Sequence, residues 1–160
     1  MSLAVGDTAP DFSLPDTHGT PVTLSGLRGA PVAVVFVPFA FSGTCTGELC
    51  DLRDNIQAFQ EAGVHLLVVS CDPMFSLRAW AEAEGYGFDL LSDFWPHGEV
   101  ARRYGVLDDE DGFALRGTFL IDRSGRIAWS EVRGIGQGRD FKAYREALAT
   151  LRASQRDAVG

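Results

Sequence analysis

A chain of 160 residues, 46 % hydrophobic and 11 % aromatic, is enough for one well-packed domain spanning 1–160 and short for two. Its formal net charge of −8 repels phosphate backbones and anionic lipids, so neither nucleic acid nor a membrane surface is an expected partner. The longest apolar run, 30–41, is interrupted by Pro31 and Pro38 and is too short to span a bilayer.

Met1–Asp7 has no basic run ahead of an apolar one, so no secretory leader is expected. Three cysteines, an odd number, do not make a secreted disulfide framework and suit a reducing cytoplasm. Residues 1–30 read as an extended N-terminal segment. Pro31-Val32-Ala33-Val34-Val35-Phe36-Val37 is β-branched and apolar on both faces, the pattern of a strand covered on both sides, and Val64-His65-Leu66-Leu67-Val68-Val69-Ser70 has the same character. Between them Leu49, Leu52, Ile56 and Phe59 recur at helical spacing, which predicts one helix from Thr46 to Glu61. Strand, helix, strand makes a parallel βαβ unit.

A second helix fits Ser76 to Glu84, a short strand Leu90-Leu91, and a short helix Glu99 to Tyr104. A hairpin follows: Gly117–Ile121, the turn Asp122-Arg123-Ser124-Gly125, and Ile127–Ser130. Phe141, Tyr144, Leu148 and Leu151 mark a closing helix. The order predicts an α/β, thioredoxin-like fold, with a central mixed sheet flanked by helices.

The stretch Pro38-Phe39-Ala40-Phe41-Ser42-Gly43-Thr44-Cys45 joins the first buried strand to the first helix. Ligands in open α/β sheets bind beyond the carboxyl ends of strands. Ser42 or Thr44 can cap the helix, and either choice leaves Cys45 in the first turn, where free N–H groups and the helix dipole favour an anion. An ordinary thiol is only about 3 % thiolate at pH 7, so even a modest shift multiplies the nucleophilic fraction. The plainer reading is a cysteine packed as a small hydrophobe.

Pro38, Ser42 and Cys45 fill Pro-x-x-x-Ser/Thr-x-x-Cys, and this loop resembles the peroxiredoxin active-site motif. Ala9-Pro10-Asp11-Phe12 is similar to the family's N-terminal signature, and Arg116-Gly117-Thr118-Phe119-Leu120-Ile121-Asp122 to its Arg-x-Thr-Phe segment. Leu91-Ser92-Asp93-Phe94-Trp95-Pro96-His97-Gly98 resembles the AhpE-type subgroup. The resemblance runs from about residue 3 to residue 150. It implies a cofactor-free peroxidase that reduces hydrogen peroxide and organic hydroperoxides through a Cys45 sulfenic acid. Arg116 would stabilise the thiolate and polarise the peroxide, Ser42 and the Cys45 N–H would bond to it, and Pro38 would exclude water. Glu48, one turn beyond Cys45, would orient Arg116. The plainer roles are a surface ion pair for Arg116, a cap for Ser42, a strand terminator for Pro38 and a first-turn acid for Glu48.

Cys50 governs the second half of the reaction. AhpE-type members are described as one-cysteine enzymes, recycled by an external thiol. A cysteine five residues on is what the bacterioferritin-comigratory (PrxQ) subgroup uses to resolve the sulfenic acid as an intramolecular disulfide. On an ideal helix the two Cα atoms lie roughly 8.6 Å apart, beyond the ~7 Å a disulfide allows, so the first turns would have to unwind. The alternative is a thiol that does not react. A thioredoxin-like protein or a small thiol is the implied reductant, and homodimers are common in the family. Cys71, in Ser70-Cys71-Asp72-Pro73, reads as a buried structural cysteine, and His18, His65 and His97 show no metal spacing. A Cys-x-x-Cys oxidoreductase is excluded by the Cys-x-x-x-x-Cys spacing. A redox sensor without turnover shares the first step and is the non-enzymatic alternative.

Overall fold

The computed structural model describes residues 3–134, 137, 139 and 143–151. Five strands form its central sheet: β3 (Val32–Phe36), β4 (His65–Ser70), β5 (Asp89–Ser92), β8 (Arg116–Ile121) and β9 (Ile127–Arg133), in the order β5-β4-β3-β8-β9. β3 pairs in parallel with β4, and β4 with β5, while β3–β8 and β8–β9 are antiparallel. This is the mixed thioredoxin-like sheet that the element order predicts.

Alternation along β3 sorts the core into two layers. Val32, Val34 and Phe36 pack with Phe12, Leu24, Leu67, Tyr104 and Phe119. Ala33, Val35 and Val37 pack with Cys45, Leu49, Leu52, Trp80, Leu120 and Leu148. The first layer is closed by the N-terminal segment and by α4 (Glu99–Arg103), where the Tyr104 hydroxyl donates to the Pro10 carbonyl at 2.7 Å. The second is closed by α1 (Gly43–Asp54), α2 (Ile56–Glu61), α3 (Met74–Glu84) and a last helix, α5, over 143–151. Tyr144, Leu148 and Leu151 of the expected closing helix are buried, whereas Phe141 lies outside the described residues.

Three expectations need correction. The helix predicted over Thr46–Glu61 is two helices. The Asn55 side chain donates to the Asp51 carbonyl at 2.8 Å, and its backbone leaves helical geometry (φ −116°, ψ 18°). Local bonding of this kind competes with the helical ladder. The N-terminal segment is not merely extended, since Ser13–Pro15 (β1) and Pro21–Thr23 (β2) pair as a hairpin and Leu24–Leu27 form a 3-10 turn. A second small hairpin, Leu107–Asp108 (β6) with Phe113–Ala114 (β7), fills a stretch in which the periodicity predicts no element. Its turn is held by Asp108, whose carboxylate accepts from the N–H groups of Glu110 and Asp111.

Candidate active site

Beyond β3 the chain passes buried Pro38 and exposed Phe39, and the Ala40 N–H donates to Asp72 Oδ2 at 2.8 Å. The same oxygen accepts from the Ser70 hydroxyl at 2.7 Å, which ties this loop to the end of β4. Phe41 follows with φ 67°, the one described non-glycine residue in the left-handed region, a conformation that costs about 1–2 kcal/mol. It delivers Ser42 in extended geometry as the cap of α1. Ser42 Oγ accepts from the Cys45 N–H at 3.2 Å and its carbonyl from the Thr46 N–H at 2.8 Å, an arrangement worth about 1 kcal/mol. Of the two possible caps, the exposed Thr44 is not the one used. The Cys45 N–H, expected to aim at a peroxide oxygen, is committed here to Ser42.

Cys45, Glu48, Leu49 and Leu52 are the buried residues of α1, at the spacing of a single helix face. Cys45 is 0 % exposed. Arg116, at the start of β8 and buried, donates from Nη1 to Cys45 Sγ at 3.5 Å and also to Glu48 Oε1. Glu48 therefore lies where the sequence puts it, between helix and arginine.

It does not serve Arg116 alone. Arg139 donates to Glu48 Oε1 from Nη1 and to Oε2 from its backbone N–H, both at 3.0 Å. Its Nε donates to Thr118 Oγ1 at 3.0 Å, and its Nη2 to the carbonyls of Phe36 and Gly117. Thr118 in turn bonds to the Tyr144 hydroxyl, whose phenol burial pushes up to about 12. Among the described residues, the Arg116 and Arg139 guanidinium groups share the one Glu48 carboxylate beside the Cys45 thiol. Sequence reasoning misses Arg139, an arginine in a glycine-rich stretch with no spacing to mark it. Thr118 was findable, because period-2 alternation puts it on the same face of β8 as Arg116.

Cys50 lies off this face and is half-buried, with Sγ 3.6 Å from Glu84 Oε2 and 3.7 Å from the Tyr86 hydroxyl. Cys45, Cys50 and Cys71 are all free thiols, and α1 is intact from Gly43 to Asp54. Cys71 is 6 % exposed. Burial, with Asp93 and Asp72 adding like charge, pushes its thiol up to about 12. The ring nitrogens of His97 lie 3.1 and 2.6 Å from the carbonyls of Phe94 and Gly112. Among the described residues no three of His, Cys, Asp and Glu assemble as a metal site, and no helix is long and apolar enough to cross a membrane.

The sequence profile of the AhpC/TSA family matches residues 5–130. The chain is 47 % identical over 152 residues to the alkyl hydroperoxide reductase E of Mycobacterium tuberculosis, covering 94 % of this chain and 99 % of that protein. It is 40 % identical over 132 residues to the peroxiredoxin Bcp of Escherichia coli, covering 78 % and 83 %. The crystal structure of the peroxidoxin BcpB from Mycobacterium tuberculosis superposes with a TM-score of 0.81 at 37 % identity, over 94 % of this chain and 97 % of that one.

Proposed function

The chain belongs to the AhpC/TSA family and is a thiol-dependent peroxidase, and we propose that Cys45 is its nucleophile and Cys50 its resolving thiol. The Cys45 sulfur attacks the terminal oxygen of hydrogen peroxide or an organic hydroperoxide. The O–O bond breaks, water or an alcohol leaves, and Cys45 becomes a sulfenic acid. Cys50 then attacks that sulfur, displacing water and forming an intramolecular disulfide, which a thioredoxin-like protein or a small thiol reduces. The setting is the cytoplasm, whose reducing poise suits three free thiols.

The observation that carries this reading is the Arg116 guanidinium 3.5 Å from a fully buried sulfur in the first turn of a helix. An isolated thiolate there would be prohibitively desolvated, and the Arg116–Glu48–Arg139 cluster supplies the compensating charge. Arg116 also offers donors fixed in a plane for the developing charge on the peroxide oxygens. Ser42, whose oxygen already accepts from Cys45, keeps its own O–H to donate to the peroxide. Pro38 shields the thiolate from water, and Glu48 orients both arginines.

The second half requires movement. Cys45 faces Arg116 and Cys50 faces Glu84 on one intact helix, so the first turn of α1 opens before the sulfurs meet. The test is the mass of the protein after one equivalent of peroxide, followed by peptide mapping. Loss of two hydrogens with Cys45 joined to Cys50 is expected. Gain of one oxygen on Cys45 with Cys50 still a thiol would make it a one-cysteine enzyme. Oxidation without turnover on any thiol reductant would make it a sensor.

A further inference from the structure

The surroundings of Cys50 are built from the end of α3. Glu84 is its last residue, and Gly85 (φ 70°) turns the chain back so that Tyr86 reaches α1. The Tyr86 hydroxyl donates to the Thr46 carbonyl at 3.3 Å, and the Trp80 indole N–H donates to Thr46 Oγ1 at 3.1 Å. Both contacts grip the first turn of α1. Glu84 Oε2 accepts from the Cys50 thiol at 3.6 Å.

A carboxylate at this place opposes the helix dipole, which favours cations at a C-terminus. The last turn of α3 has no basic residue of its own. Its cation comes from the neighbouring helix, where Arg53 donates to the Glu84 carbonyl. The carboxyl group itself is left to face the Cys50 thiol.

We propose that Glu84 is a catalytic residue, the general base of the resolving step, which removes the Cys50 thiol proton as that sulfur attacks the Cys45 sulfenic acid. The inference rests on the reading of Cys50 as the resolving thiol. The S–S bond forms as the sulfenic S–O bond breaks. The Cys50 sulfur is oxidised and the Cys45 sulfur reduced by the same electron pair. Hydroxide leaves and takes up a proton, so the balance is one thiol and one sulfenic acid giving one disulfide and one water.

The neighbouring groups make Glu84 the better base. Tyr86 is the other oxygen within reach, but burial, followed by its contact with Cys50, holds its phenol protonated well above the ordinary range. Tyr86 has also given its hydrogen to Thr46. Arg53 lies near both Cys50 and Glu84, and its charge favours a thiolate as it forms. With an ordinary thiol only about 3 % ionised at pH 7, a base at hydrogen-bond distance removes the largest obstacle to attack. Opening the first turn of α1 releases Cys45 towards Cys50 while Glu84, on another helix, stays in place.

The experiment compares wild type, Glu84→Gln and Tyr86→Phe after one equivalent of hydrogen peroxide, timing Cys45–Cys50 disulfide formation by acid quench and mass spectrometry from pH 6 to 10. Among the described residues, the charged and titratable groups around Cys50 are Glu84 and Tyr86 from the α3 side and, from α1 itself, Arg53 with its ion-pair partner Asp54. Glu84→Gln should slow the disulfide step about tenfold or more at pH 7. The deficit should vanish by about pH 9.5, where an unassisted thiol is mostly ionised. Sulfenic acid formation should keep its wild-type rate, and Tyr86→Phe should keep the wild-type pH profile. An unchanged disulfide rate in Glu84→Gln overturns the proposal. So does a deficit that persists at pH 10, which would mark a structural contact, and so does transfer of the pH effect to Tyr86→Phe. If the wild type forms no Cys45–Cys50 disulfide, the resolving role of Cys50 has failed, and that result is distinct from the other three.

Discussion

β3 and β4 are parallel neighbours, and the chain beyond each carries a cysteine: Cys45 in the first turn of α1, eight residues beyond Val37, and Cys71 directly after Ser70. Both sulfurs are buried. Cys45 has a helix N-terminus beneath it and, among the described residues, two arginines, Arg116 and Arg139, to the one carboxylate of Glu48 around it. Cys71 has Asp93 and Asp72 as its charged neighbours, and its thiol is pushed up to about 12 by burial and by those carboxylates. Burial alone would silence either cysteine. In the function proposed for Cys45, the sign of the charge placed next to the sulfur is what would separate a nucleophile from a packing group.

The sharpest way to break that contrast is to delete each sulfur in turn. Cys45→Ser should abolish peroxide consumption, because a hydroxyl supplies almost no anion near neutral pH. Cys71→Ser should leave the rate within about twofold of wild type. Stopped-flow decay of peroxide measures both, and substantial turnover in Cys45→Ser would sink the assignment of the nucleophile.

Removing the cation comes next in size. Arg116→Ala should slow sulfenic acid formation by about 10²–10³, the usual loss when one donor of a preorganised site is removed. Arg116→Lys keeps the charge but loses the planar fork, so it should recover only part of the rate. Full recovery in the lysine variant would mean that charge alone matters at Cys45. An unaffected alanine variant would mean that Arg116 has no part in the reaction.

A smaller effect tests how independent the two strand ends are. Asp72 belongs to the Cys71 loop, yet its Oδ2 holds the Ala40 N–H of the Cys45 loop. Asp72→Asn should weaken that charge-assisted tie and lower the unfolding free energy by about 1–2 kcal/mol, with a several-fold slower reaction with peroxide. Denaturant midpoints paired with peroxide rates would decide it. A variant as fast and as stable as wild type would show the loops to be uncoupled.

Much of this contrast was legible in the sequence, and the gaps have physical causes. The two-sided apolar strands, the loop from Pro38 to Cys45 and the Arg116 segment are local patterns, and the sheet assembled from them is the one observed. The buried place of Cys71 was also legible, from its position at a strand end. Arg139 was not legible, because it reaches Glu48 across 91 residues and nothing in its neighbours fixes where it lands. Asp72 was hidden for the same reason, since an aspartate before proline reads as an ordinary turn residue. The break at Asn55 depends on one side-chain hydrogen bond, which hydrophobic periodicity does not register. Glu84 enters the sequence reading only as the end of a helix, because its contact with Cys50 spans 34 residues.

The smallest expected effect comes from Cys71 itself and appears only in alkali. Its thiol is raised in the folded protein from an ordinary 9.0 to about 12. A neutral thiol therefore favours the folded state, and this contribution is complete below about pH 9, where folded and unfolded chains are both protonated. Above pH 9 the unfolded chain loses the proton and the folded chain keeps it, so stability falls as the pH rises towards 12. At pH 10 the loss attributable to this one group is on the order of 1 kcal/mol, since each unit of pKa difference is worth about 1.4 kcal/mol. Other buried hydroxyls, Tyr104 and Tyr144 among them, are raised as well and drive stability in the same direction, so the wild-type curve alone does not isolate the cysteine. The difference between wild type and Cys71→Ala does, because the tyrosine contribution is common to both. Urea midpoints at pH 8 and pH 10 should converge for the two proteins as the wild type loses its thiol contribution. Midpoints that keep a constant separation over that range would mean that Cys71 ionises alike in both states, and the electrostatic half of the contrast with Cys45 would fall.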